Sequence, residues 1–148
     1  MKKLIVLISD FFLISLMGVT QIIAPEKVPA DVGQAFAKKC PQATDIKYEM
    51  DKKDYEVSYK ENGVVMSANF NSDGEWLETE TIISESDLPE RVLNSAAESF
   101  VDFKITQVSK VESQDKVVYY EMYLKTNKKG YDVKFSPEGV VLKKTKLK

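Results

Sequence analysis

Hydrophobic positions between residues 28 and 70 change period once, from a helical spacing to a strand-like alternation. The helical part has apolar residues three or four positions apart, at Val32, Ala35, Phe36 and Cys40. Pro29 suits the first turn of such a helix, and Pro41 ends it. Beyond Pro41, every second residue is apolar in three short runs, over residues 46–50, 55–59 and 64–70. This alternation predicts strands with one buried face.

The same order of elements is predicted a second time about 60 to 65 residues later, which is typical of an internal repeat. The matching segments are Val28-Pro29 with Leu88-Pro89, Tyr55-Glu56-Val57 with Tyr120-Glu121-Met122, and residues 70–74 with 135–139. The connections between strands are short and require antiparallel pairing. We therefore predict an α+β fold in which a helix packed on a four-stranded antiparallel sheet is duplicated in tandem. The two repeats cover residues 24–83 and 84–148.

Residues 1–23 are predicted to be an export signal rather than part of the fold. Two lysines precede an apolar run over residues 4–19, and Gly18 and Thr20 are small enough to flank a cleavage site. Asp10 interrupts the apolar run, so an uncleaved anchor is the alternative, and membrane contact is expected through that anchor alone. With either interpretation, we expect the globular part to be periplasmic or secreted.

Three stretches of this sequence resemble a known family. They are Ala35-Phe36-Ala37-Lys38-Lys39-Cys40-Pro41, Tyr55-Glu56-Val57 and Phe70-Asn71-Ser72-Asp73-Gly74-Glu75-Trp76-Leu77-Glu78-Thr79-Glu80. The pattern is similar to that of the PepSY-like, β-lactamase-inhibitor-like family of bacterial envelope proteins. The resemblance implies tandem helix-plus-sheet units, export and no catalytic centre, and members of the wider group inhibit or regulate extracytoplasmic enzymes. The segments that bind the target in characterised β-lactamase inhibitors have no match here, so inhibition of a β-lactamase is not implied.

Charge and residue types exclude several kinds of chemistry. The chain has 21 Lys and Arg residues, 23 Asp and Glu residues and a net charge of −2, so we expect no nucleic-acid partner. It has no histidine, which excludes histidine-based triads, general bases and metal ligands. Glu78 and Glu80 could form an acid–base pair, but carboxylates on alternating strand positions usually face solvent. Cys40 has no second cysteine to pair with and is expected to be buried. We expect no enzymatic activity, no cofactor and no bound metal.

One loop has the spacing of a calcium site. Oxygen donors at Asn69, Asn71, Asp73 and Glu80, with Gly74 in the sixth position, match the calcium-loop pattern. The flanking residues alternate as strands rather than forming helices, and the second copy of the pattern has a lysine and a threonine where ligands are needed. A hairpin turn explains Asp73-Gly74 better. A small-ligand or calcium carrier that uses residues 69–80 is kept as an alternative function.

Aromatic residues on one strand are the best candidates for binding another protein. If Tyr120, Met122 and Leu124 face the helix, then Tyr119, Glu121 and Tyr123 face the opposite side of the sheet. Tyrosine brings a large contact area at low entropic cost. We therefore predict a non-catalytic binding module for an extracytoplasmic protein, with Tyr119, Tyr123, Glu121 and Trp76 as partner-binding residues.

Two other interpretations of these residues stay open. Tyr119 and Tyr123 could pack against the first repeat, and Trp76 could belong to the core. The aromatic face could also serve self-association in a structural envelope protein. The hairpin tips at residues 60–64 and 126–130 are further candidate contacts with a partner.

Overall fold

A computed structural model of the protein describes residues 21–147, in which nine strands and two helices follow one another along the chain. The strands are β1 (Gln21–Ile23), β2 (Thr44–Asp51), β3 (Asp54–Glu61), β4 (Val64–Phe70), β5 (Trp76–Ile82), β6 (Lys104–Ser113), β7 (Val118–Lys125), β8 (Gly130–Phe135) and β9 (Val141–Lys146). The helices are α1 (Ala30–Lys39) and α2 (Glu90–Ser99), each preceded by a single turn of 3-10 helix.

The nine strands form one antiparallel sheet in which every strand pairs with its neighbours in the chain. The predicted α+β fold, with a helix on each of two separate four-stranded sheets, is therefore wrong. The pairing of β5 with β6, from Glu78 opposite Ser113 to Ile82 opposite Ser109, joins the two halves into a single, mostly β sheet. A strand edge exposes unpaired N–H and C=O groups, and this pairing satisfies both edges at once.

The predicted export signal lies outside the described residues, except for its last three positions. Gln21–Ile23 form β1, which pairs with β2 at Met50, Glu49 and Tyr48 and so extends the sheet by one strand. No helix between residues 21 and 147 is long and apolar enough to cross a membrane.

Both helices pack on the same face of the sheet and bury two apolar clusters there. The first contains Val32, Phe36, Cys40, Val57, Tyr59, Ala68 and Phe70, and the second contains Leu88, Val92, Ala96, Phe100, Val108, Met122, Leu124, Val133 and Phe135. Cys40 is free and buried, and its Sγ donates a hydrogen bond of 3.3 Å to Tyr59 Oη. The helices therefore divide the sheet into a covered apolar face and an opposite face.

Three turns of the sheet contain a glycine with positive φ, and two of these turns contact a helix. Asn62 and Gly63 both have positive φ, 51° and 81°, which is the geometry of a tight two-residue hairpin between β3 and β4.

Gly74, with φ 79°, lies against the first turn of α1: a Cβ at this position would be 2.6 Å from the carbonyl oxygen of Asp31. Gly139 makes the corresponding close approach to Arg91 in α2. The turn that leads out of β4 and the turn that leads out of β8 thus each hold a helix start.

Candidate binding surface

The face of the sheet opposite the helices is polar and yet largely enclosed. We call it the polar face; its members alternate with the apolar residues of the same strands. Its buried polar residues, with exposed fractions between 0% and 8%, are Glu49, Glu56, Ser67, Ser109 and Glu121. Burying a carboxylate costs several kcal/mol unless partners compensate for the lost water. Enclosed charge on a face that no described helix covers therefore marks this surface as a candidate site.

Tyr119 lies at the centre of a polar network that joins the two halves of the sheet. Its Oη donates a hydrogen bond of 3.0 Å to Glu78 Oε2 on β5 and accepts one of 3.1 Å from Lys134 Nζ on β8. Asn69 on β4 donates to the other Glu78 oxygen at 3.2 Å. Lys134 Nζ also lies 3.6 Å from Glu121 Oε2 and 4.6 Å from the centre of the Tyr119 ring. Five side chains on four strands thus form a continuous chain of contacts.

The network holds Tyr119 in its neutral form and Lys134 in its charged form. Burial, and after it the Glu78 carboxylate, raises the pKa of Tyr119 far above the ordinary value for a phenol. Burial alone would lower the pKa of Lys134, but the Glu121 carboxylate and the Tyr119 hydroxyl outweigh it and raise that pKa. Tyr119 consequently has both hydrogen-bonding functions of its hydroxyl engaged inside the protein, one as donor and one as acceptor.

Beside this network lies a group of three enclosed carboxyls, Glu80, Glu121 and Asp132. Glu121 lies opposite Ser109 on β6 and Lys134 on β8. Among the described residues, three buried atoms make no hydrogen bond of standard geometry: Glu80 Oε1, Ser109 Oγ and Asp132 Oδ1, although Ser109 lies close enough to Glu80 to lower the pKa of that carboxyl. A buried polar atom without a hydrogen bond costs about 1–3 kcal/mol of folding stability relative to one that is hydrogen-bonded. The three atoms lie in a group rather than being scattered.

Burial shifts the pKa values of two of these carboxyls, Glu121 and Glu80. Burial, followed by a hydrogen bond with Asp132, raises the pKa of Glu121 to about 8, even though Lys134 acts in the opposite direction. Burial also raises the pKa of Glu80, while Ser109 and Lys134 lower it in part. At neutral pH Glu121 is thus mostly protonated and can share its proton with Asp132, which leaves the group with less negative charge than its composition suggests.

Tyr123 lies beside the cluster of carboxyl side chains formed by Glu80, Glu121 and Asp132, but it is not hydrogen-bonded to them. It is opposite Asp132 on β8 and Gln107 on β6. Burial raises its pKa strongly, and the charges that add to this shift are those of Glu121, Glu80, Asp132 and Glu56. No hydrogen bond of its phenol is made to any residue between 21 and 147. Tyr123 is half-buried, so part of its ring is available for contact.

The structure places three of the four predicted partner-binding residues together and the fourth elsewhere. Tyr119, Glu121 and Tyr123 are neighbours on β7 and face away from the helices, whereas Trp76 lies on the helix side. Trp76 packs against the first apolar cluster, donates from Nε1 to Thr79 Oγ1 at 2.9 Å and has Lys39 Nζ 3.7 Å from its ring centre. Trp76 therefore cannot share a contact surface with the tyrosines.

The residues of the calcium-like loop serve the turn between β4 and β5. Asn71 Oδ1 accepts hydrogen bonds from the backbone N–H groups of Asp73 and Glu75 at 3.0 and 2.9 Å. Glu75 Oε2 accepts from Asn71 Nδ2, and Asn69 binds Glu78. Within residues 21–147, no group of three or more acidic or cysteine side chains is arranged to hold a metal ion.

Sequence reasoning missed Glu80, Ser109, Asp132 and Lys134 as members of the site. They come from three different strands, β5, β6 and β8, and only the pairing of β5 with β6 brings Glu80 near the others. The available signal was the alternation itself: Glu121 lies between Tyr120 and Met122, which face the helices, and Ser109 directly follows Val108, which faces them too. Glu78 and Glu80 are partly enclosed rather than fully solvated.

A family model covers nearly all of the described chain. The family described as "Putative beta-lactamase-inhibitor-like, PepSY-like" matches twice, over residues 18–67 and 59–143. No curated protein matches the sequence closely enough to transfer an activity.

Several solved structures share the fold. A "putative periplasmic" protein from Bacteroides eggerthii has a TM-score of 0.75 and 25% identity, covering 80% of this chain and 88% of that one. A BLIP-like protein from Bacteroides fragilis has a TM-score of 0.65 and 25% identity, covering 78% and 84%. A DUF2874 family protein from Bacteroides uniformis has a TM-score of 0.74 and 20% identity, covering 80% and 88%, and at that identity shows the fold alone.

Proposed function

Because the chain belongs to the beta-lactamase-inhibitor-like, PepSY-like family, we propose that it is an exported, non-catalytic module that binds another extracytoplasmic protein through its polar face. Export is supported by the apolar segment that follows Lys2 and Lys3 and by the periplasmic description of the Bacteroides eggerthii relative. The absence of histidine from the sequence and the inhibitor-like family description support a role without catalysis.

The observation that carries this proposal is the set of enclosed, unsatisfied polar atoms on the polar face. Glu80 Oε1, Ser109 Oγ and Asp132 Oδ1 lie beside the half-buried Tyr123 and make no hydrogen bond of standard geometry with any described residue. A protein that used this face only for folding would gain stability from apolar side chains there. Polar groups kept at such a cost are typical of recognition sites.

The charge of the site indicates the chemistry of the partner. Glu80, Glu121 and Asp132 lie beside Tyr123, and the nearby Lys134 is already engaged with Tyr119 and Glu121. A lysine or arginine side chain of the partner would supply donors for Glu80 and Asp132 and would balance the negative charge that remains when Glu121 is protonated. Tyr123 would add apolar contact and a cation–π interaction. The inhibitor-like family description makes extracytoplasmic enzymes the first class of partner to test.

Site-specific photocrosslinking in the native envelope tests this proposal. A photoreactive residue is placed on the polar face at Ser58 or Gln107, and on the outer surface of the helices at Gln34 or Glu98. We expect one envelope protein to be crosslinked from both polar-face positions and from neither helix position. An excess of unlabelled wild-type protein should compete with this product, whereas a Tyr123→Ser variant should compete poorly. Equal crosslinking from both faces, or none from the polar face, would contradict the proposal.

A further inference from the structure

A second candidate site lies at the far end of the C-terminal half, away from the carboxyls of the polar face. A cleft of about 970 Å³ opens between the end of α2, the start of β6 and the hairpin that joins β7 to β8. Its wall includes the hairpin tip at residues 126–129, one of the two tips singled out by the sequence. Thr126 Oγ1 accepts hydrogen bonds from the backbone N–H groups of Lys128 and Lys129, at 3.2 and 3.0 Å, so the tip is an ordered turn.

The cleft is strongly basic. Its lining contains one acidic residue, Asp102, and five lysines, which are Lys104, Lys125, Lys128, Lys129 and Lys144. All five are exposed, and the three salt bridges of the described chain involve none of them. The five ammonium groups therefore concentrate positive charge in one concave surface, where a low-dielectric wall strengthens its field.

The base of the cleft is aromatic. Phe100, Phe103 and Tyr131 contact one another, with ring centres 5.5 to 6.2 Å apart. Lys144 Nζ lies 4.2 Å from the centre of the Tyr131 ring and 4.9 Å from that of Phe100. A ligand in the cleft could thus meet apolar ring surface below and ammonium groups around it.

Positive charge is unevenly distributed along the chain, although the net charge is close to zero. Residues 24–83 contain seven lysines and twelve acidic residues, whereas residues 84–148 contain eleven lysines, one arginine and ten acidic residues. The corresponding hairpin tip of the N-terminal half, residues 60–64, has a single lysine, Lys60, and this lysine is paired with Asp45. The basic cleft is therefore a feature of one half and is not required by the helix-on-sheet arrangement that both halves share.

We propose that this cleft binds a ligand bearing phosphate groups, with the lysines holding the phosphates and the aromatic base contacting the rest of the molecule. Phosphate suits the site because several ammonium groups can approach its oxygen atoms from different directions. The ligand could be a soluble phosphorylated compound or the headgroup of an anionic lipid, which present the same chemistry. This site is independent of the polar face, and each can exist without the other.

Two probes and a matched pair of variants test the proposal. The protein is titrated calorimetrically with inorganic pyrophosphate, and its binding to phosphatidylglycerol vesicles is compared with binding to phosphatidylcholine vesicles. The cleft variant carries Lys104→Gln, Lys128→Gln and Lys129→Gln. The control carries Lys47→Gln, Lys52→Gln and Lys53→Gln, which removes the same charge from exposed positions in the N-terminal half. Melting temperatures establish that both variants are folded.

We expect the cleft variant to bind at least roughly tenfold more weakly, as loss of one or more charge-assisted contacts would produce, and the control to bind as the wild type does. Binding of pyrophosphate supports a soluble ligand, and binding of anionic vesicles without pyrophosphate supports a lipid headgroup. Binding should also weaken as ionic strength rises above about 0.1 M, where the Debye length is about 10 Å. Failure of both probes to bind, or equal losses in the two variants, would overturn the proposal.

Discussion

At the scale of single residues, Glu121 shows how burial on the polar face changes the protonation of a carboxyl. The residue is 6% exposed, and its carboxyl is faced by Ser109 from β6, by Asp132 and Lys134 from β8, and by Glu80 from β5. Lys134 is shared with Tyr119, so it only partly compensates for the negative charge of the group. Protonation is the remaining way to relieve the cost of burial, and this is why the pKa of Glu121 rises to about 8.

This pKa predicts how stability depends on pH. Glu121 binds its proton more tightly in the folded chain than in the unfolded chain, so its stabilising contribution is complete below the ordinary value of 4.5. The contribution is lost as pH rises through about 8. We expect the free energy of unfolding to fall between these limits by up to about 1.4 kcal/mol per pH unit for this proton. Glu121→Gln, which stays neutral and can donate to Asp132, should flatten the decline.

Urea unfolding at several pH values between 5 and 9 measures the effect. Glu98→Gln, on the exposed side of α2, is the control and should leave the slope of the wild type unchanged. Parallel pH profiles for the wild type and Glu121→Gln would show that Glu121 is not held protonated in the folded protein.

At the scale of elements, the spacing of apolar residues correctly predicted a helix or a strand for these segments. Apolar residues at helical spacing between Pro29 and Pro41 correspond to α1, and the alternation at residues 55–59 corresponds to β3. The prediction failed where pairing depends on partners distant in the sequence. Nothing in the alternation of β5 distinguishes an edge strand from one that pairs with β6, so the joined sheet and the Glu80 contacts within it were not predictable.

The turns between elements make a testable contribution of their own. Gly74 and Gly63 have nearly equal positive φ, 79° and 81°, but a Cβ at Gly74 would meet the Asp31 carbonyl at 2.6 Å, whereas nothing lies within 4 Å of a Cβ at Gly63. Gly63→Ala should cost about 1–2 kcal/mol from backbone strain alone. We expect Gly74→Ala to cost clearly more, because α1 must also shift away from the turn. Urea unfolding of the two variants measures the difference, and equal losses would show that the turn does not support the helix.

At the scale of the whole molecule, the nine-stranded sheet separates packing from recognition. One face supplies the apolar contacts for both helices, which frees the other face from having to be apolar. The pairing of β5 with β6 brings side chains from both halves, such as Glu78 and Tyr119, into one surface. Charge is not divided between the two faces in this way. The cluster of carboxyls, Glu80, Glu121 and Asp132, lies on the polar face across β5 to β8, whereas the cleft lined by lysines lies at the end of the C-terminal half. The molecule thus presents two surfaces of opposite charge.

The affinity for the protein crosslinked from the polar face is the most direct test of the proposed function. The dissociation constant of the purified pair is measured for the wild type, for Tyr123→Ser and for Gln34→Ser on the outer surface of α1. We predict that Tyr123→Ser weakens binding at least roughly tenfold, as expected for an aromatic contact at the centre of an interface, while Gln34→Ser has no effect. Unchanged affinity in Tyr123→Ser, or an equal loss in Gln34→Ser, would contradict binding through the polar face.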